Sequence, residues 1–304
     1  MNRTVASLVK RSLLRTGYYP RRLRGDRFPG VAVLCYHGVR AGDQPRGAVP
    51  FDQLHVHAGE LEAHCRLIRE TCHPIGLAQW RAALAGGPPL PPRAVLFTFD
   101  DGYRAVYTHA RPILERYAIP AVVFVCSDPV AERRLFWHDA LARAHGESEV
   151  ERAKRLPFGE WQALSAASSR PVEVGDASAP LTVSEIKALA GTLVEIGAHT
   201  ADHAILARAD REEQRGQIAR NKAQLEAWIG RPVRAFAYPN GRPGHDYTAL
   251  SVALVEALGF DFAFTTRPAF ASAGEPPLER SRFLMLAGIS PAELAHRLSY
   301  SWRR

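Results

Sequence analysis

Asp100 and Asp101 stand side by side at the end of the apolar run Ala94-Val95-Leu96-Phe97-Thr98-Phe99 and are followed at once by Gly102. Adjacent carboxylates repel, so a pair turned inward needs a cation, or one member must hold a proton. A divalent metal meets that need and opens a hydrolytic route, in which one Asp ligates and the other takes a proton from water. The alternative for Asp-Asp-Gly is a solvated turn or a helix cap. Nitrogen ligands are on offer in His199-Thr200-Ala201-Asp202-His203, where imidazoles four apart converge on one ion if the second lies a turn beyond the first. Asp101, His199 and His203 then form a two-His, one-carboxylate set with open positions, suited to Zn²⁺ or another first-row divalent ion.

These residues need elements that bring them together. Residues 94–99, preceded by the breaker string Pro88 to Pro92, read as a strand buried on both faces, and Leu193 to Ala198 reads as another that runs into His199. Further strands are expected over 31–39, 121–126, 234–238, 261–265 and 283–286, with a helix over 212–228. If the strands are parallel, their C-terminal ends share one face, which is where α/β folds keep their chemistry. A chain of 304 residues with 46% apolar content can bury one large core.

Three ordered motifs carry a resemblance. Thr98-Phe99-Asp100-Asp101-Gly102, His199-Thr200-Ala201-Asp202-His203 and Phe236-Ala237-Tyr238-Pro239-Asn240-Gly241 resemble those of the polysaccharide deacetylases with a NodB-homology domain, carbohydrate esterase family 4. The likeness spans 31–304, with its motif core at 94–266. It implies a single α/β domain, a distorted (β/α) barrel of about seven strands, and metal-dependent removal of N-acetyl, in some members O-acetyl, groups from a polysaccharide or lipid-linked glycan. It also implies Asp100 as general base, Asp101, His199 and His203 as metal ligands, and Tyr238, Pro239 and Asn240 as a groove wall in which the Asn240 N–H meets the oxyanion.

Two departures bear on mechanism. Many members carry an Arg at the place of Ala237 to orient the base; here Arg280 or Arg282 can approach from another direction, Arg282 being preferred and Arg280 reading equally as a surface residue. Many members also take a general acid from a late His. The only late one here, His296, reads as a surface residue of a capped terminal helix. His37, at the end of Val31 to Val39, resembles the Tyr-His element of a rearranged branch and is the candidate acid, against a structural His held by a backbone carbonyl. Two other readings stay open: a metal hydrolase of another amide, ester or phosphoryl bond, and a catalytically silent glycan-binding or membrane-associated protein. Retention of Asp101, His199 and His203 argues against the second.

Between 127 and 180 the strand and helix rhythm lapses, and this insertion is expected over the barrel mouth. Trp137 there either stacks on a sugar ring or packs the insertion down. The formal charge of +8 suggests nucleic acid until it is divided. Residues 1–30 hold eight Arg and Lys against Asp26 alone, 8 − 1 = +7, which leaves 8 − 7 = +1 for the remainder. The excess belongs to a basic tail, read either as an interfacial helix on an anionic membrane, with Val5, Leu8, Val9 and Leu13 on one face and Leu14 off it, or as a solvated segment. No secretory h-region or membrane span is evident, so the expected location is cytoplasmic or peripheral to the inner membrane, with an export route left open. Cys35, Cys65, Cys72 and Cys126 read as reduced packing thiols. His55, His57, His64 and His73 are placed in an early helix and its exit, with no ligand role.

Overall fold

A computed structural model describes residues 3–25, 27–42, 44, 45 and 47–300. Residues 1, 2, 26, 43, 46 and 301–304, which the expected domain bounds and the tail's charge count include, lie outside the described residues. The apolar runs become seven parallel strands: β1 (Gly30–Tyr36), β2 (Ala94–Phe99), β3 (Ala121–Val125), β4 (Val194–Ala198), β5 (Ala235–Ala237), β6 (Phe262–Phe264) and β7 (Phe283–Leu284). Their order is β7-β1-β2-β3-β4-β5-β6, and the sheet curls into a distorted barrel. A lone parallel bridge from Phe264 to Arg280 draws β6 against the segment that enters β7. β2 and β3 are buried along their whole length, as strands sandwiched in a parallel sheet must be. At Gly197 on β4 a Cβ would come within 2.4 Å of the Phe124 ring, so this strand approaches its neighbour only because glycine stands there.

Helices α1 (Arg3–Arg15) and α2 (Tyr18–Gly25) precede β1, and α3 (Ala58–Thr71) and α4 (Leu77–Leu84) separate it from β2. A short α5 (Arg111–Arg116) leads to β3. Then come α6 (Ser127–Glu132), α7 (Trp137–His145), α8 (Glu147–Ala153), α9 (Phe158–Ala167) and α10 (Val183–Ala190). The long α11 (Arg211–Ile229), the α12 helix (Ala249–Ala257) and α13 (Pro291–Tyr300) complete the shell. α11 is well bounded: Asp210 and Glu213 form a capping box at its start, and Gly230 closes it in the left-handed region at φ 68°.

Several expectations change here. The basic segment is not a tail, because Tyr19 and Leu23, one turn apart on α2, are buried in the main core while Arg21 and Arg24 face out. Leu14, the residue off the expected stripe, packs on that core beside Leu13. α1 docks on α13 through Lys10 and Glu293 at 2.6 Å. His296 is not a plain surface residue: it is half-buried, its Nδ1 lies 2.9 Å from the Tyr19 hydroxyl, and it closes the same contact. The 127–180 insertion carries four helices, of which α7, α8 and α9 pack a small core from Trp137, Leu141, Val150, Ala153, Phe158 and Trp161, joined by Phe51 and Ala204 from outside the insertion. Of the early histidines, His55 and His57 precede α3, with His57 as its N-cap, and His64 lies buried within it.

Candidate active site

The C-terminal ends of β1, β2 and β4 and the loop after β5 meet around a cavity of about 350 Å³ lined by His37, Asp100, Asp101, His199, His203 and Asn240, among others. Period-two alternation turns Thr98 and Asp100 to the same side of β2. Asp100, 3% exposed, receives Arg282 through two parallel contacts, Nη1 to Oδ1 and Nη2 to Oδ2, each 2.7 Å. Arg282 is itself fully buried, with Nε donating to the Thr265 carbonyl at 2.9 Å and Nη1 to Thr98 Oγ1 at 3.2 Å. Burial pushes the Asp100 carboxyl up, but the guanidinium and the nearby imidazoles outweigh it and hold it below the usual carboxylate range. The Cys35 thiol also donates to Asp100 Oδ2 at 3.4 Å, and burial keeps that thiol protonated. Arg280 goes elsewhere, 3% exposed and away from Asp100, so neither late arginine is a surface residue.

Asp101 sits at φ 71° and places its carboxylate beside His199 and His203. Its Oδ1 lies 3.3 Å from His199 Nε2 and 3.4 Å from His203 Nε2, yet it has no hydrogen-bond partner. Donor atoms about 2.0–2.1 Å from a tetrahedral ion are separated by about 3.3–3.4 Å, so both separations from Oδ1 match the edge of such a site, and all three ligand atoms lie within 4.8 Å of one another. His199 Nδ1 bonds the Ala237 carbonyl at 2.7 Å, which leaves Nε2 its lone pair for the cavity. Ala237 therefore has a task that its side chain did not announce. Behind the ring, Asn221 of α11 ties β3 to β4, its Oδ1 accepting from the His199 N–H and its Nδ2 donating to the Val125 carbonyl. Asp101, Thr200, His203 and Asn240 all adopt left-handed backbone at φ 71°, 60°, 55° and 57°. Strain of this kind persists only where surrounding structure enforces it.

His37 is half-buried at the end of β1, with a ligand atom within 4.8 Å of those of Cys35 and Asp100. Its Nδ1 has no hydrogen-bond partner, so no backbone carbonyl holds it at that atom. Asn240 offers its backbone N–H at the rim, unbonded among the described residues, while its carbonyl accepts from Thr266 Oγ1 at 2.7 Å. Tyr238 is buried against Tyr247 with rings 3.9 Å apart, and its hydroxyl bonds the Leu278 carbonyl, so it shapes the loop from behind. Pro239 receives the Gly241 N–H and tightens the same turn. Trp137 does not reach a sugar: it is 1% exposed, packed against Trp161 in the core of the insertion. Lys154, Glu151 and His138 are the residues by which the insertion lines the cavity.

Some neighbours carry no legible motif. His55 lies with its ring 4.8 Å from that of Tyr103, so close to β1 that a Cβ on Gly38 would fall 1.9 Å from its Nδ1. Burial, helped by His37, lowers its pKa to about 3 and keeps it neutral. Tyr103 donates to Asp139 Oδ2 at 3.0 Å, and the other oxygen of Asp139 has no partner. The signal available in sequence was period two alone: Cys35 lies two before His37 and Thr98 two before Asp100.

Residues 87–263 match the family described as polysaccharide deacetylase. The chain belongs to the polysaccharide deacetylase family. Among curated relatives of these deacetylases, the poly-beta-1,6-N-acetyl-D-glucosamine N-deacetylase of Escherichia coli K12 is 29% identical over 257 residues, which cover 81% of this chain and 35% of that protein. The chain thus spans about a third of that relative's length. The deacetylase PplD of Streptococcus pyogenes, solved with acetate, superposes with a TM-score of 0.67 at 20% identity, covering 88% of this chain and 98% of the other. IcaB from Ammonifex degensii gives 0.64 at 23% identity, over 89% and 97%. Both have the same fold.

Proposed function

We propose that this chain is a metal-dependent carbohydrate N-deacetylase acting on an N-acetylated amino-sugar polymer, free or lipid-linked. One observation carries the reading: an ionised, guanidinium-held carboxylate, Asp100, adjoins an Asp101–His199–His203 ligand set in one cavity. A divalent ion bound by that set supplies Lewis-acid polarisation of the acetyl carbonyl and makes water more acidic. Asp100 takes the proton from the attacking water, and Arg282 fixes the direction of its lone pairs. The Asn240 N–H donates to the oxyanion. His37 protonates the departing amine, which leaves as the free amino sugar beside acetate. The polymer for which the E. coli relative is named is the first substrate to try.

The test is to measure bound metal and acetate release from N-acetylated and O-acetylated glycans, with and without a lipid carrier. Asp101→Asn is expected to lose metal and activity together, whereas Asp100→Asn keeps metal and loses turnover. A purified protein that takes up no divalent ion, or an Asp100→Asn variant with near-full turnover, overturns the mechanism. Acetate release confined to esters or to non-glycan amides favours the wider hydrolase class.

An anionic membrane surface is the proposed partner of α1. Val5, Leu8 and Val9 remain 48%, 60% and 45% exposed after α1 has docked, beside the cations of the same segment. No helix among the described residues is long and apolar enough to cross a membrane, so contact of this helix is peripheral. Because α2 is part of the core, the test uses Leu8→Glu/Val9→Glu and not a truncation. Equal co-sedimentation of wild type and variant with phosphatidylglycerol vesicles removes the idea.

A further inference from the structure

A second cavity, of about 400 Å³, opens at the other end of the barrel, beside the first residues of β1 and β2. Its apolar walls include Trp80 and Leu84 of α4, Leu90 and Phe28. Its charged lining is Arg27, Arg93 and Arg280, with no Asp or Glu among the described lining residues.

Arg280 is the informative member. It is 3% exposed, its guanidinium lies 5.4 Å over the Trp80 ring, and Nη1 donates to the Ser272 carbonyl at 2.6 Å. Its Nε is buried without a hydrogen-bond partner. No carboxylate pairs with it among the described residues, and Glu275, an acid that acts on it electrostatically, is taken by Arg267 at 3.1 Å. Two positions along the chain, Arg282 is equally buried and fully matched by Asp100. A buried cation facing only a carbonyl and an aromatic ring lacks its counter-ion. A bound oxyanion supplies one, and an apolar body attached to it covers Trp80, Leu84 and Leu90. The size and the mainly apolar wall with a few convergent polar groups are those of a small-molecule site.

We infer that this cavity binds an amphiphilic anion, a carboxylate or phosphate head on an aromatic or short aliphatic body, with the head against Arg280. The site is separate from the deacetylase centre and uses none of its residues.

The test titrates full-length protein with 2-naphthoate and with 2-naphthyl phosphate, following tryptophan fluorescence and calorimetry. The two arms distinguish the heads. Saturable binding is expected, weakened at least tenfold in Arg280→Met and in Leu84→Glu, and unchanged in Asp101→Asn, which removes carboxylate binding at the other site. Leu84 is 52% exposed, so its variant places a repelling charge at the rim without burying it and keeps the test open if Arg280→Met does not fold. Acetate release by Leu84→Glu stays within twofold of wild type. Absence of saturation at millimolar ligand, wild-type affinity in Leu84→Glu, or equal binding of neutral 2-naphthalenemethanol overturns the inference. Equal binding of inorganic phosphate also overturns it, by reducing the site to a plain anion contact.

Discussion

The end of β2 and the start of α7 each bury carboxylates, and they treat them in opposite ways. Asp100 meets two guanidinium nitrogens at 2.7 Å and is held below the usual carboxylate range. Asp139 is just as inaccessible but among the described residues has only the Tyr103 hydroxyl as a hydrogen-bond partner, and burial drives its carboxyl well above that range. Burial is common to both, so the partner decides the charge. A base must be ionised before it can accept a proton, which makes Asp100 the one suited to chemistry and Asp139 a neutral hydrogen-bonding group.

The largest expected effect separates the two directly. Asp100→Asn should lower acetate release by about 10²–10⁴-fold, the range for loss of a general base, whereas Asp139→Asn stays within a few-fold in the same assay. Next is the cation. Arg282→Gln leaves Asp100 buried and unpaired and should destabilise by about 3–5 kcal/mol in denaturant unfolding, with Asp100→Asn/Arg282→Gln recovering part of the loss. In whatever Arg282→Gln protein folds, the acid limb of the rate profile moves to higher pH, because the cation no longer holds the carboxyl down. A third effect tests Asp139 by sign. Its folded pKa is raised, so the folded state keeps a proton that the unfolded state loses above the ordinary Asp value of 3.8, and its contribution to stability falls as pH rises toward the folded value. Asp139→Asn should therefore gain on wild type as pH increases from about 4, by about 1.4 kcal/mol per unit at most. A flat difference between pH 4 and 7 breaks the comparison. Tyr103→Phe gives the smallest change, a loss of about 1–3 kcal/mol from an unsatisfied acid, with acetate release little altered.

Much of this contrast was legible in the chain, for identifiable reasons. The motifs at 98–102 and 199–203 lie at strand ends, and period and composition mark those strands locally. Arg282 was a candidate because Ala237 left Asp100 without a cation, but its geometry depends on how the curled sheet brings β7 beside β1. Cys35 read as a packing thiol, although its place two before His37 puts it on the working side of β1. Trp137 could not be placed from its own neighbours, since Leu141, Val150 and Trp161 bury it through the folding of the insertion. Asp139 shows the same limit: nothing in Trp137-His138-Asp139 says that Tyr103, far back in the chain, will donate to it. The basic segment misled because its charges are countable in sequence while the burial of Tyr19 and Leu23 is a property of the packed helices.

The clasp of α1 and α2 on α13 also sets an order of assembly. Lys10 meets Glu293 across 283 positions and Tyr19 meets His296 across 277, so α1 and α2 leave the ribosome well before the helix on which they dock. Contacts this distant in sequence form late, after the loop between them has closed. Until then the apolar faces of α1 and α2 have no α13 to rest on, and for that interval they stay open to a chaperone or to a membrane surface.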